Sequence, residues 1–314
     1  MKRHLIFLTN QGPNILAFGA LSGLVWPGLA DLAAPAMPVS IFLLVWISLL
    51  RVEGAFHQLP ARPLTAIVLP LLLMVPCPLL VGYAAQLVGF APDTVLALVL
   101  ATAAPPSIGN AAVARMLGLD GGLPLAATMA AMVLAPLTVP LAAILYGGPA
   151  IDPVALAVKL LVLVGAAAGL ALPLRIHAAS AIARHGTWLD LILLLALLVF
   201  ALSAMAGLQA WLLAQPLVAM GQIALAFTVN LGLQGLGALL LPGSLATRAG
   251  GALLFGNRNV GLVWSALGSA VPPTAALYFA ATQLPIYTLP RLLQFILARH
   301  RGSHRDHRSG GPHA

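Results

Sequence analysis

Apolar residues run along this chain in long unbroken stretches, separated by short clusters of charged and turn-forming residues. Reading from cluster to cluster gives ten stretches, at 12–30, 36–50, 63–89, 93–114, 121–147, 151–174, 187–207, 213–241, 249–269 and 273–298. Most approach the roughly 20 apolar residues that a membrane-crossing helix needs. The runs are continuous rather than alternating, which excludes a transmembrane β-barrel. The pattern therefore predicts an all-α, multi-pass membrane protein with ten transmembrane helices. Composition agrees: the 314 residues are 61% hydrophobic and only 7% charged, with a mean hydropathy of +1.02. A soluble surface needs roughly a quarter to a third of its residues charged.

Charge adds orientation. With the N-terminus in the cytoplasm, Arg51, Arg62, Arg115, Arg175, Arg184 and Arg248 all fall in inner loops, and the arginines from 291 to 308 fall at the inner end and tail. The outer loops carry Asp31, Asp93 and Asp152 instead. This bias predicts both termini on the cytoplasmic side of an inner membrane. The net charge of +8 thus reports topology, and its scatter over short loops speaks against a nucleic-acid partner. Met1-Lys2-Arg3-His4 followed by an apolar run has the look of a signal peptide, but Asn10, Gln11 and Asn14 interrupt it and the segment is expected to be retained. Cys77 is the single cysteine, which excludes an intrachain disulfide and reads as a small buried hydrophobe.

Ten helices divide into two sets of five, about 10–147 and about 150–299, followed by a basic, His-rich tail at 300–314. An odd number per set makes the second an inverted repeat of the first. The fourth helix of each set carries a disruptive segment: Ala-Pro-Pro-Ser-Ile-Gly-Asn at 104–110 and Gly-Asn-Arg-Asn at 256–259. Prolines remove backbone donors and glycine–asparagine clusters favour unwound chain, so helices 4 and 9 are expected to break near mid-membrane. Paired breaks in two inverted halves point to a transporter's binding site.

The stretches APPSIGNAAVARMLGLDGGLPLAATMAAMVLAPLTVPL at 104–141 and FGNRNVGLVWSALG at 255–268 resemble the crossing-helix motifs of the bile acid:sodium symporter family. The resemblance implies a core of helices 3–5 and 8–10, in which helices 4 and 9 are broken and cross, and a panel of helices 1, 2, 6 and 7. It also implies a substrate site between core and panel and a sodium site built from a Glu and a Gln of helix 9 with Ser, Asn and Thr groups of helices 4 and 5. Aligned through Gly256, Asn259, Gly261 and Leu262, the Glu position is Leu254 and the Gln position is Arg258. A Ser position becomes Gly109, and hydroxyl positions of helix 5 fall on Ala126 and Ala130, leaving Asn110 and Thr128. A hard cation wants several oxygens, usually one of them anionic, so the sodium site reads as lost and no metal or cofactor is expected.

Two basic residues lie deep: Arg258, and Lys159 at roughly 12 Å into helix 6. A central arginine costs about 2.5–3.5 kcal/mol on insertion scales, which makes a functional role the default. Arg258 either stands in for the missing ion or pairs with an anionic substrate, aided by helix N-termini near Asn110 and Asn259. Lys159 is a possible charge carrier, or it snorkels outward. Asp190 reads as an interfacial carboxylate paired with Arg184 or a loop. The tail reads as disordered chain at the anionic inner leaflet. Trp264 reads as packing, and Gly165 and Gly169 as a close helix contact. Phosphate loops, zinc spacings and nucleophile triads are absent from the sequence, so an enzyme is not expected.

These observations predict a secondary transporter of a small organic anion, sodium-independent, with Asn110, Asn257, Arg258 and Asn259 at the crossing and Ser107 and Thr128 as further candidates. A ten-helix carrier of the drug/metabolite type, or a sensor that keeps the fold without transport, are the rival readings. The first of these predicts unbroken helices 4 and 9.

Overall fold

A computed structural model describes residues 12–51, 63–110, 113–114, 117, 119, 122–147 and 151–309. Arg62, Arg115 and the first eleven residues lie outside them. The described chain is almost entirely helical, as expected. Its helices are α1 (Gly12–Val25), α2 (Pro27–Ala33), α3 (Met37–Leu50), α4 (Pro63–Met74), α5 (Pro76–Val88), α6 (Pro92–Ala103), α7 (Gly122–Tyr146) and α8 (Pro153–His177). They continue with α9 (Ala179–Arg184), α10 (Gly186–Ser203), α11 (Leu208–Ala214), α12 (Pro216–Leu240), α13 (Leu245–Gly256), α14 (Val260–Leu267) and α15 (Pro273–Ser309).

Six segments of the described chain are long and apolar enough to cross a membrane. Large apolar side chains cover much of the outside, with Phe18, Leu32, Val133, Ile176, Leu213 and Leu217 each more than 70% exposed. Water does not tolerate such a surface on a monomeric protein, whereas acyl chains do. The architecture is that of a multi-pass membrane protein.

Local chemistry explains where helices start. Pro occupies the first turn of α2, α5, α6, α8 and α12, where its missing N–H is not needed. Asp152 caps α8 by accepting from Val154 and Ala155 N–H, and Ser244 caps α13 through Thr247 N–H.

Several boundaries differ from the expectation. The first turn falls at Trp26, ahead of Pro27, and 31–35 is helical rather than a loop. The stretch 208–214 is helical as well, with the loop at Gln215 just before Pro216. The last helix runs on to Ser309 instead of giving way to disordered chain, for the first proline after Pro290 is Pro312. The third stretch is broken at Val75, since Pro76 and Pro78 supply no N–H and Val75, preceding a proline, departs from regular helix (φ −117°, ψ −72°).

The packing falls into two groups. α3 packs against α8 and α10, and α10 against α1. α12 packs against α13 and α15, α6 against α5, α7 and α15, and α7 against α4. The two groups are not separate bodies: α7 packs on α8 as extensively as α10 on α1, α15 also touches α1, and α14 touches α3 and α8. The closest approach is between α12 and α13, where a Cβ on Gly237 would strike the Gly251 carbonyl and one on Gly251 would strike that of Gly237. Gly165 and Gly169 show the opposite, with no atom within 4 Å of an added Cβ. That glycine pair sits on the exposed face of α8, so the expected close helix contact is not formed there. α8 is apolar all round, and a small-residue spacing in such a helix does not fix which face meets a neighbour.

Candidate functional site

Both disruptive segments unwind the helix, and they unwind against each other. α6 ends at Ala103, and Ala104, which precedes Pro105, swings to an extended conformation (φ −57°, ψ 142°). α13 ends at Gly256, and Asn257 is extended in turn (φ −90°, ψ 102°). The two extended pieces form a short antiparallel bridge between Pro106 and Arg258. Ser107 N–H donates to the Asn257 carbonyl at 2.8 Å, and Asn259 N–H to the Pro105 carbonyl at 2.7 Å. Unwound backbone inside a membrane protein needs such internal partners.

The polar side chains complete the crossing. Asn110 is 1% exposed, and its Nδ2 donates to the carbonyls of Leu253 (3.0 Å) and Asn257 (3.2 Å). It thus clamps the first broken helix to the second. Asn259 caps α14 by accepting from Leu262 N–H at 3.2 Å. Ser107 Oγ accepts from Gly109 N–H at 3.3 Å and shapes the turn from which the first helix resumes. Asn230 of α12, not singled out in the sequence, donates from Nδ2 to the Gly256 carbonyl at 2.8 Å. Its own Oδ1 accepts from Gln234 at 2.7 Å.

Arg258 lies at the centre, 4% exposed. Nη1 donates to the Ala104 carbonyl at 3.3 Å, and Nη2 to the Leu73 carbonyl at 3.2 Å. Nη2 also lies 3.9 Å from Cys77 Sγ. Both carbonyls are ends of interrupted helices: Leu73 closes α4 ahead of the break at Val75, and Ala104 follows α6. α13 ends two residues before the arginine itself. Each helix C-terminus carries about half a negative elementary charge, and two of them, those of α4 and α6, give carbonyls to one guanidinium. Nε has no partner, and neither do Asn110 Oδ1 and Asn257 Oδ1.

Two small cavities flank Arg258. One, about 20 Å³, lies between α6, α12, α14 and α15 and is bordered by Thr102, Asn230, Tyr278 and Thr282. The other, about 30 Å³, lies between the two helix groups. Leu44, Leu197 and Phe200 form its wall on one side, with Ser107, Asn259 and Gln283 on the other. Each has room for about one or two waters. Neither is bordered by Asp, Glu or His.

Not every candidate gathers here. Thr128 is buried in α7 but borders neither cavity. Lys159 is exposed on the outer face of α8, beside the equally exposed Val158, Leu161 and Val162. Leu254 is buried among apolar residues. Asp190 pairs with Arg51 at 3.0 Å rather than with Arg184, tying α10 to the end of α3. Trp264 packs edge-on against Phe279, ring centres 5.8 Å apart. Leu73, Ala104, Asn230 and Gln283 were not singled out, because a backbone acceptor has no signature of its own and a lone amide in an apolar helix is ambiguous.

No family model matches this chain, and no curated protein matches it.

Proposed function

We propose that this protein is a secondary transporter of small organic anions that works by alternating access without sodium. The observation that carries the proposal is Arg258: a buried cation, without a carboxylate partner among the described residues, held by the ends of two interrupted helices and bordering the cavity between two helix groups. On this reading the fifteen helices make ten passes in two inverted sets of five, in an inner membrane with both termini cytoplasmic. α1, α3, α8 and α10 belong to the panel, and α4–α7 with α12–α15 form the core. The paired breaks favour this scheme over a ten-helix carrier with unbroken passes.

The guanidinium serves as the resident cation. It supplies the positive charge that the two helix C-termini ask for, which a mobile ion would otherwise supply. Leu254 on the adjoining turn brings no oxygen to hold such an ion. Nε–H, which has no partner among the described residues, is one of the donors that remain to meet an anion. At about 30 Å³ the cavity between the groups is too small for an organic anion, so admitting one requires the panel to move away from the core.

Thermal unfolding of the purified protein tests this reading, with methanesulfonate, benzenesulfonate and 2-naphthalenesulfonate as probes in sodium and in choline buffers of equal ionic strength. A probe at a hundred times its Kd should add about 2.7 kcal/mol of stability. Equal stabilisation in both buffers, lost in Arg258→Gln, is the expected result. Stabilisation that needs sodium would show that backbone oxygens still hold the ion and would sink the proposal.

A further inference from the structure

On that reading of Arg258 as a resident cation, we infer that the carrier is an obligate anion exchanger. It crosses the membrane with an anion bound and returns only with another. The inference starts from what could drive a one-way cycle. Among the described residues, Arg258 is the one buried charged side chain. The carboxylates of Asp31, Asp93 and Asp152 are exposed, and that of Asp190 is engaged by Arg51. His177 and His185 are exposed too. Among the described residues the crossing therefore offers no carboxylate or imidazole to carry a proton, and no anionic oxygen to seat a metal cation.

The return step then decides the cycle. A carrier coupled to a mobile ion releases ion and substrate together, so the ion's charge leaves with the cargo before the emptied site swings back. Arg258 cannot be released. Once its anion leaves, the core keeps a positive charge whose Nε–H has no partner. To swing back, that charge must slide past Leu44, Leu197 and Phe200, the apolar wall across the cavity. An anion on the guanidinium cancels the charge and satisfies the free donor. Insertion costs of an unpaired arginine in a membrane helix correspond to a slowing of the empty return on the order of a hundredfold. Exchange avoids that step altogether.

The test uses the full chain in liposomes loaded with the same three sulfonates, which stay charged and do not leak as neutral acids. Efflux of each labelled probe is measured into buffer containing the unlabelled probe and into probe-free potassium sulfate, with the membrane potential clamped by valinomycin. Outward movement should be faster into the probe-containing buffer by a factor on the order of a hundred. Arg258→Lys, which keeps a fixed charge, should retain that ratio, whereas Arg258→Gln, which no longer binds the probes, should abolish efflux into both buffers. Equal efflux into both buffers in the wild type, or net uptake driven by a proton gradient, overturns the exchange inference and leaves the carrier reading standing, whereas net uptake driven by a sodium gradient overturns both. Absence of movement for all three probes in either buffer removes the carrier reading and this inference with it.

Discussion

Asn110 offers the sharpest test of how the two broken helices are held together. Its amide gives two hydrogen bonds to the chain of the other half, at 3.0 and 3.2 Å. Truncation to Ala removes both. Neither carbonyl is orphaned, however, because Leu253 O still accepts from Asn257 N–H and Asn257 O from Ser107 N–H. The loss is therefore that of two ordinary bonds, about 1–3 kcal/mol in total, with a small addition for the space vacated. Asn110→Asp has nearly the same shape and removes the same two donors. It also aims a carboxylate oxygen at two carbonyl oxygens, and a buried membrane carboxylate adds about 2.5–3.5 kcal/mol. The expected cost is about 4–6 kcal/mol.

The order of stability is thus wild type, then Ala, then Asp, although Asp is the isosteric change. Unfolding of the purified variants by denaturant in detergent, followed by tryptophan fluorescence, reads this order directly. An Asp variant more stable than the Ala variant would refute the reasoning. It would mean that the new carboxylate draws Arg258 away from the carbonyls of Leu73 and Ala104, so that the guanidinium is not committed to the helix ends.

Other expectations follow from single contacts. Gly251→Ala, whose Cβ would strike the Gly237 carbonyl, should cost about 1–3 kcal/mol, while Gly165→Ala and Gly169→Ala, facing open space, should stay within about 0.5 kcal/mol of wild type in the same unfolding assay. The Arg51–Asp190 pair is 28% and 36% exposed, and a double-mutant cycle should return a coupling of about 1 kcal/mol or less, shrinking in high salt. Leu254→Glu combined with Arg258→Gln places a carboxylate and an amide oxygen where the sequence resemblance expects a sodium site. That double variant should melt at a higher temperature in sodium than in choline, and identical melting in both would count against Arg258 as the substitute for an ion.

The breaks at 104–110 and 256–259 were legible because their signals are local: two adjacent prolines in one, glycine and asparagine in the other. The break at Val75 rests on prolines too, yet it was not anticipated. Prolines 70, 136, 140, 173, 285 and 290 all lie inside continuous helices here, so proline alone does not decide where a membrane helix opens. The freed carbonyl must also find a donor, and that of Leu73 finds Arg258, 185 positions away along the chain. A partner at that separation leaves no pattern in either segment. The same limit explains Lys159. Its depth could be counted along the helix, but α8 is apolar on every side and its faces are indistinguishable from sequence, so only the structure turns the lysine outward.

Arg258 could be read from sequence as a substitute ion or as a substrate partner, and its donors show why both roles fit in one side chain. Nη1 and Nη2 are spent on the carbonyls of Ala104 and Leu73. These bonds fix the plane of the guanidinium and bind the ends of two interrupted helices to the third. Nε is left over. A lysine in the same place would bring one nitrogen and could not hold both carbonyls in the planar fork that Arg258 uses. The fork fixes where the cation stands, and its covalent attachment distinguishes this site from one that fills and empties. A charge that binds the crossing together cannot depart with its cargo, so any cycle built on it must be balanced by the anion alone.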